Sequence, residues 1–140
     1  MEFSPKEAQS IIRASGLRAT LPRIHVLRIL SESSRPLSHS EVVTRLEGIG
    51  GDQATAYRSL ISFQEKGIVR IASHARGIAR YELVAEGEEA HHVHPHFICN
   101  ECGMVSCLPK TTYITAVDEQ WRECLKMAEM QFVGKCQDCT

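Results

Sequence analysis

Two cysteine pairs and a run of histidines carry the chemistry legible in this sequence. Cys99-x-x-Cys102 and Cys136-x-x-Cys139 are separated by 33 residues, and HHVHPHFICNEC, His91 to Cys102, holds four of the chain's seven histidines. A Cys-x-x-Cys turn places two thiolates on one tight bend, half of a tetrahedral zinc site, and two such turns complete one. A thioredoxin-like dithiol should open a helix in a βαβ unit, and neither pair is set that way. A zinc deaminase would place Pro directly before its knuckle, whereas Ile98 precedes Cys99 and Lys135 precedes Cys136. Cys99, Cys102, Cys136 and Cys139 are therefore expected to hold a closed, structural Zn2+.

The histidines ask for something else. On a strand, alternate residues share a face about 6.5–7 Å apart. His92, His94 and His96 would then line one side, and neutral imidazoles on one face suit Zn, Fe, Ni or Cu. Pro95 lacks an N–H and suggests an edge strand or a bulge. Cys107 lies in the segment that would pair with this strand, where it can reach the histidine side. His94 and His96 are expected metal ligands, with Cys107 as a candidate. His91 reads as solvated and Cys124 as core, while His25, His39 and His74 read as helix or turn residues.

Helices and a hairpin precede these residues. SPKE (Ser4 to Glu7) and SHSE (Ser38 to Glu41) are capping boxes, and Gly16 can end the first helix. Thr20 can cap a second helix, in which Ile24, Leu27 and Leu30 recur at helical spacing. Asp52 can cap QATAYRSLISFQEKG, whose Ala56, Leu60 and Phe63 share a face and which Gly67 ends. IVRIAS and IARYEL read as two strands joined at HARG, with Gly77 in the turn. One extra helix, three more and a ribbon make a winged helix-turn-helix over residues 1–84. VAEGEEA marks a hinge, placed at 85–90, and residues 91–140 form a second, small domain. That domain reads as a strand over 92–98, the first knuckle, a strand at MVSCL, a helix from about Thr112 to Arg122, and a partly alternating tail. In the tail Met130 and Phe132 could face a core. About fifty residues make a thin core, so metal, a second subunit or both should help hold it.

Composition fits this reading. The chain of 140 residues is 43% hydrophobic and 24% charged, ordinary for a globular protein. No apolar run approaches the roughly 20 residues of a membrane span, and no signal peptide is visible. The expected location is cytoplasmic, where cysteines bind metal more often than they form disulfides. The net charge of −1 hides an asymmetry: residues 1–84 carry twelve Lys/Arg against eight Asp/Glu, and residues 85–140 carry four against nine. A basic N-terminal half suits an anionic partner such as nucleic acid.

The segments GLRATLPRIHVLRIL, ATAYRSLISFQEKGIVR, RYEL, HPHFICNECGMV and GKCQDC, in this order and spacing, resemble the ferric uptake regulator family over nearly the whole chain. The resemblance implies an α+β fold, a winged helix-turn-helix followed by a small α/β dimerisation domain with a four-cysteine zinc site. It implies a metal-dependent, homodimeric transcriptional repressor of metal-homeostasis genes, bound to a palindromic, A/T-rich double-stranded DNA operator, with a regulatory metal at the hinge. Thr55, Tyr57 and Arg58 would face the major groove, where Arg can pair with guanine and a Tyr ring can meet a thymine methyl. Arg18 would enter an A/T-rich minor groove. His94 and His96 match two regulatory ligands, Cys107 stands where many members place a carboxylate, and Glu88 lies near the hinge ligand, with Glu86 and Glu89 close by.

The sequence departs from the family pattern at several positions. Pro36 replaces a usual histidine ligand, with His39 nearby, and Val93, Pro95, Ile114 and Ala128 occupy the positions of a second, auxiliary metal site. No auxiliary site is expected. Thiolate in place of carboxylate favours Zn2+ over Fe2+ or Mn2+, so a zinc-responsive regulator is the expectation, with an iron- or peroxide-responsive one as the alternative. Two readings from other classes compete. A zinc-dependent enzyme needs an open coordination position and a nearby base and would leave the N-terminal half without a role. A zinc-ribbon interaction module would leave the ATAYR helix unexplained.

Overall fold

A computed structural model describes residues 2–84, 95–108, 118–126, 128 and 130–140. The chain forms two compact units, residues 1–84 and 85–140.

In the first unit, local signals set the helix starts. α1 (Pro5–Ala14) opens on Ser4, whose hydroxyl accepts the Glu7 amide while the Glu7 carboxylate accepts the Ser4 amide. α3 (His39–Leu46) repeats the device with Ser38 and Glu41. α2 (Leu21–Glu32) follows Thr20, yet the Thr20 side chain makes no capping bond. An N-cap serves the second or third helical amide, and Pro22 in the second position has none. α4 (Gln53–Glu65) is capped by Asp52, which accepts the Thr55 amide at 2.7 Å. It stops at Gly67, which takes φ +73 while Ile68 donates back to the Phe63 carbonyl, the turn glycine makes at low cost.

β2 (Val69–Ser73) and β3 (Arg80–Leu83) pair antiparallel, and β1 (Leu37–Ser38) adds to the other side of β3, giving the order β1-β3-β2. β1 was not expected, because two residues carry no periodicity. The hairpin turn, Ala75–Gly77, holds Arg76 at φ 58. Arg70 and Glu82 face each other across β2 and β3 and form an ion pair, with Arg70 Nε donating at 2.7 Å. Ile12, Leu27, Val42, Leu60, Phe63 and Tyr81 meet in one apolar core. Burying a side chain the size of Leu60 or Phe63 contributes about 1.5–3 kcal/mol, so this core fixes the angle at which α4 lies.

In the second unit, β4 (His96–Cys99) lies between β5 (Val105–Cys107), antiparallel, and β6 (Gln131–Gly134), parallel. The strand expected over 92–98 runs to Cys99; residues 92–94 lie outside the described residues. β4 is central, not an edge. Pro95 stands just before it, so its missing N–H breaks no ladder bond, and its carbonyl accepts the Leu108 amide at 2.8 Å. α5 (Glu119–Lys126) starts only after Asp118, which is not helical, and continues beyond the expected end at Arg122, while 112–117 lie outside the described residues. Ile98, Cys99, Val105 and Cys136 are buried. Cys124 is exposed rather than core, Met130 is half-buried, and Phe132 stays 36% exposed. Trp121 and Val133 are exposed too. A three-stranded sheet of three- and four-residue strands has too little chain of its own to cover these side chains.

Candidate metal centre and recognition helix

The four cysteines converge. Cys99 ends β4, and Cys102 lies in a tight turn closed by Gly103, at φ +77, whose amide donates back to the Cys99 carbonyl. Cys136 caps the short 3-10 turn after β6, and Cys139 is its last residue. Their sulfurs all lie within 4.8 Å of one another, with Cys102 Sγ and Cys136 Sγ 3.8 Å apart. A tetrahedron with Zn–S bonds of about 2.3 Å has edges of about 3.8 Å. No disulfide joins them.

Electrostatics at the cluster are divided. The Cys102 and Cys136 amides point at Cys99 Sγ, at 3.5 and 3.4 Å, and hold its thiol down to about 6. Cys139 is pushed up to about 12, first by its contact with Cys136, then by burial and the neighbouring sulfurs. Four thiolates this close repel one another, and a dication is what lets all four ionise. The donor set is therefore that of a closed zinc site.

The histidine region is described in part. His96 is the first residue of β4, buried, with its amide donating to the Met130 carbonyl at 3.0 Å. It pairs directly with Cys107 on β5, so both side chains leave the sheet on one face. A ring nitrogen of His96 and Cys107 Sγ lie within 4.8 Å of each other. Cys107 is exposed. His94 and Glu88, with Glu86, Glu89, His91 and His92, lie outside the described residues. Pro36 is fully buried ahead of β1.

α4 is two-faced. Ala56, Ser59, Leu60 and Phe63 are buried, whereas Tyr57 is 50% exposed and Arg58 is exposed. Thr55 is half-buried; its hydroxyl accepts Arg58 Nη2 at 3.5 Å, and its carbonyl accepts the Ser59 hydroxyl. The Thr55 amide holds the Asp52 carboxyl below its ordinary value. Burial, with the Tyr57 phenol as a second cause, pushes Tyr81 up. Arg18 is exposed in the segment between α1 and α2. Its carbonyl accepts the Thr20 amide at 2.9 Å and Arg23 Nη1 at 2.8 Å, which fixes that segment. Thr55, Tyr57 and Arg58 thus share one helix end, and Arg18 stands on a separate segment.

Two contacts escaped sequence reasoning. Arg23 reads as an ordinary helix charge, yet it holds the backbone of Arg18. His39 is indeed a helix residue, but its ring packs on Tyr57. Neither has a periodic signature.

The ferric uptake regulator family model matches residues 14–131. The ferric uptake regulation protein of Bordetella parapertussis is 33% identical over 139 residues, covering 94% of this chain and 95% of that protein. The protein of that name from Shigella flexneri is 36% identical over 97 residues, a match that spans 67% of this chain but only 62% of that protein's length. Among solved structures, the ferric uptake regulator from Pseudomonas aeruginosa with manganese has a TM-score of 0.64 at 26% identity, covering 93% of this chain and 98% of that one. A zinc uptake regulator complexed with zinc and DNA shares the fold, with a TM-score of 0.59 at 21% identity over 96% of this chain and 91% of the other.

Proposed function

The chain belongs to the ferric uptake regulator family, and on that premise we propose that it is a zinc-responsive, DNA-binding transcriptional repressor of metal-homeostasis genes. It acts as a cytoplasmic homodimer on a palindromic, A/T-rich operator. Its winged helix-turn-helix spans 1–84, its hinge 85–90 and its dimerisation domain 91–140. Tyr57 and Arg58, with Thr55 behind them, meet bases in the major groove, and Arg18 enters the flanking minor groove. The exposed Trp121, Phe132 and Val133 are the apolar side chains that a second copy would cover.

Cys99, Cys102, Cys136 and Cys139 hold a structural Zn2+. His94, His96 and Cys107, with the carboxylate of Glu88, hold a regulatory ion. When bound, that ion supplies positive charge tying these ligands together, and it favours DNA binding only through its preference for the DNA-competent state. Cys107 opposite His96 is the observation that carries the zinc reading. A thiolate beside an imidazole is a soft donor pair that suits Zn2+ better than Fe2+ or Mn2+. The relatives do not choose among metals, since one similar structure carries manganese and another zinc. An iron-responsive regulator is therefore the second reading.

The test is operator binding by purified protein titrated with Zn2+, Fe2+ and Mn2+ side by side. Zn2+ is expected to drive binding at the lowest free concentration. Binding driven by Fe2+ at lower free concentration than Zn2+ would replace the zinc reading with the iron one.

A further inference from the structure

His39 stands at the start of α3, one residue past Ser38. Ser38 is paired with Arg80 in the sheet and closes the capping box that begins the helix. The backbone of His39 is therefore fixed from two sides. From this base its ring crosses to the recognition helix and makes two contacts there. Nε2 lies 2.8 Å from the carbonyl oxygen of Gln53, the first residue of α4. A carbonyl only accepts, so Nε2 carries the proton and donates. Helical geometry has that same carbonyl accept the amide four residues on, which belongs to Tyr57. The second contact is with the Tyr57 ring itself, T-shaped, with centroids 5.6 Å apart and planes at 78°. Tyr57 remains 50% exposed, so one side of the ring is held and the other is offered outward.

We infer that His39 is a positioning residue of the recognition helix, fixing the Tyr57 ring through the Gln53 carbonyl and an edge-to-face contact, and that it thereby sets base preference where Tyr57 meets the operator. A helical tyrosine has two accessible χ1 wells, and the His39 contact favours one of them. Ordering the ring before DNA arrives removes that cost from the binding step. A ring held in one place can tell a thymine methyl from a bare pyrimidine edge; a ring free to move averages over both. This inference rests on the proposal that α4 enters the major groove.

The test uses full-length, zinc-charged protein and an operator selected by the wild type from a random duplex pool. Each thymine is replaced in turn by deoxyuridine, which removes only the methyl. One position should cost the wild type roughly fourfold in affinity, the worth of one buried methyl. Tyr57→Ala should abolish that penalty and so identify the position. His39→Ala should weaken binding to the thymine operator roughly two- to tenfold, the range of an aromatic pair. It should also shrink the methyl penalty while leaving the melting temperature near that of wild type. His39→Phe, which keeps an aromatic contact, should restore much of the penalty. Equal weakening on thymine and deoxyuridine operators would make His39 a mere helix spacer and overturn the inference, as would wild-type behaviour of His39→Ala. A wild type that selects no operator at all overturns the DNA-binding proposal itself, a result distinct from either.

Discussion

Residues 2–84 bury Ile12, Leu27, Leu60 and Phe63 in one apolar core, whereas the described part of 85–140 buries Ile98, Val105 and the sulfurs of Cys99 and Cys136. The first unit has four helices on its sheet; the described second unit has one helix and three strands of three or four residues. Helix caps and apolar packing suffice for the first. In the second, the place of a large apolar core falls to four thiols drawn within 4.8 Å of one another. The contrast assigns different vulnerabilities: the first unit should fail by cavity, the second by chelation.

The largest effect should come from the sulfur cluster. Cys136→Ser, or removal of zinc by a strong chelator, should cost on the order of 10 kcal/mol of metal-linked folding free energy. Sedimentation should show loss of the dimer, and zinc content should fall, while helical circular dichroism from the first unit persists. A zinc-free variant that keeps wild-type melting and dimerisation would break the comparison. Next in size is the apolar core. Phe63→Ala should destabilise the first unit by about 3–5 kcal/mol and leave the tightly held zinc in place, measured by thermal unfolding beside metal analysis. Smaller again is the recognition surface. Arg58→Ala should weaken operator binding by roughly 1–3 kcal/mol and relax preference at one or two bases, while Arg18→Ala should mainly reduce preference for A/T flanks. Operator affinity and selectivity unchanged in both would detach α4 from DNA recognition.

The smallest effect concerns a cap. Asp52 holds its proton less readily in the folded chain because it accepts the Thr55 amide. Its folded value is below its unfolded one, so the stabilisation is present above the unfolded value near 4 and is lost as pH falls through the folded value. Asp52→Asn, which still accepts the amide but carries no charge, should remove this pH dependence from unfolding curves between about pH 2 and 5. A wild-type profile in that variant would place the dependence elsewhere.

Legibility followed the range of the interactions. Capping boxes at Ser4 and Ser38, the Asp52 cap and the two cysteine turns are local patterns, and they announced α1, α3, α4 and the sulfur cluster. β1 owes its strand form to its pairing with Tyr81 and Arg80, more than forty residues on, and two residues show no strand periodicity of their own. Thr20 looked like a cap until Pro22 is seen to remove one of the amides a cap serves. Residue type suggests a buried Cys124 and partial alternation an inward Phe132, but a small domain lacks the chain to cover them. His39 and Arg23 act through partners 18 and five residues away, distances no periodicity encodes.

The most direct test of the division between structural and sensing metal is metal stoichiometry per subunit, measured beside metal-dependent operator binding, in wild type and in the His94→Ala, His96→Ala double variant. Two zinc ions per wild-type subunit are expected. The double variant should stay folded and dimeric, keep one zinc on its cysteines, and lose the metal response. One tightly held zinc in both proteins, with the metal response unchanged, would reduce the histidines to a strand face and contradict the account.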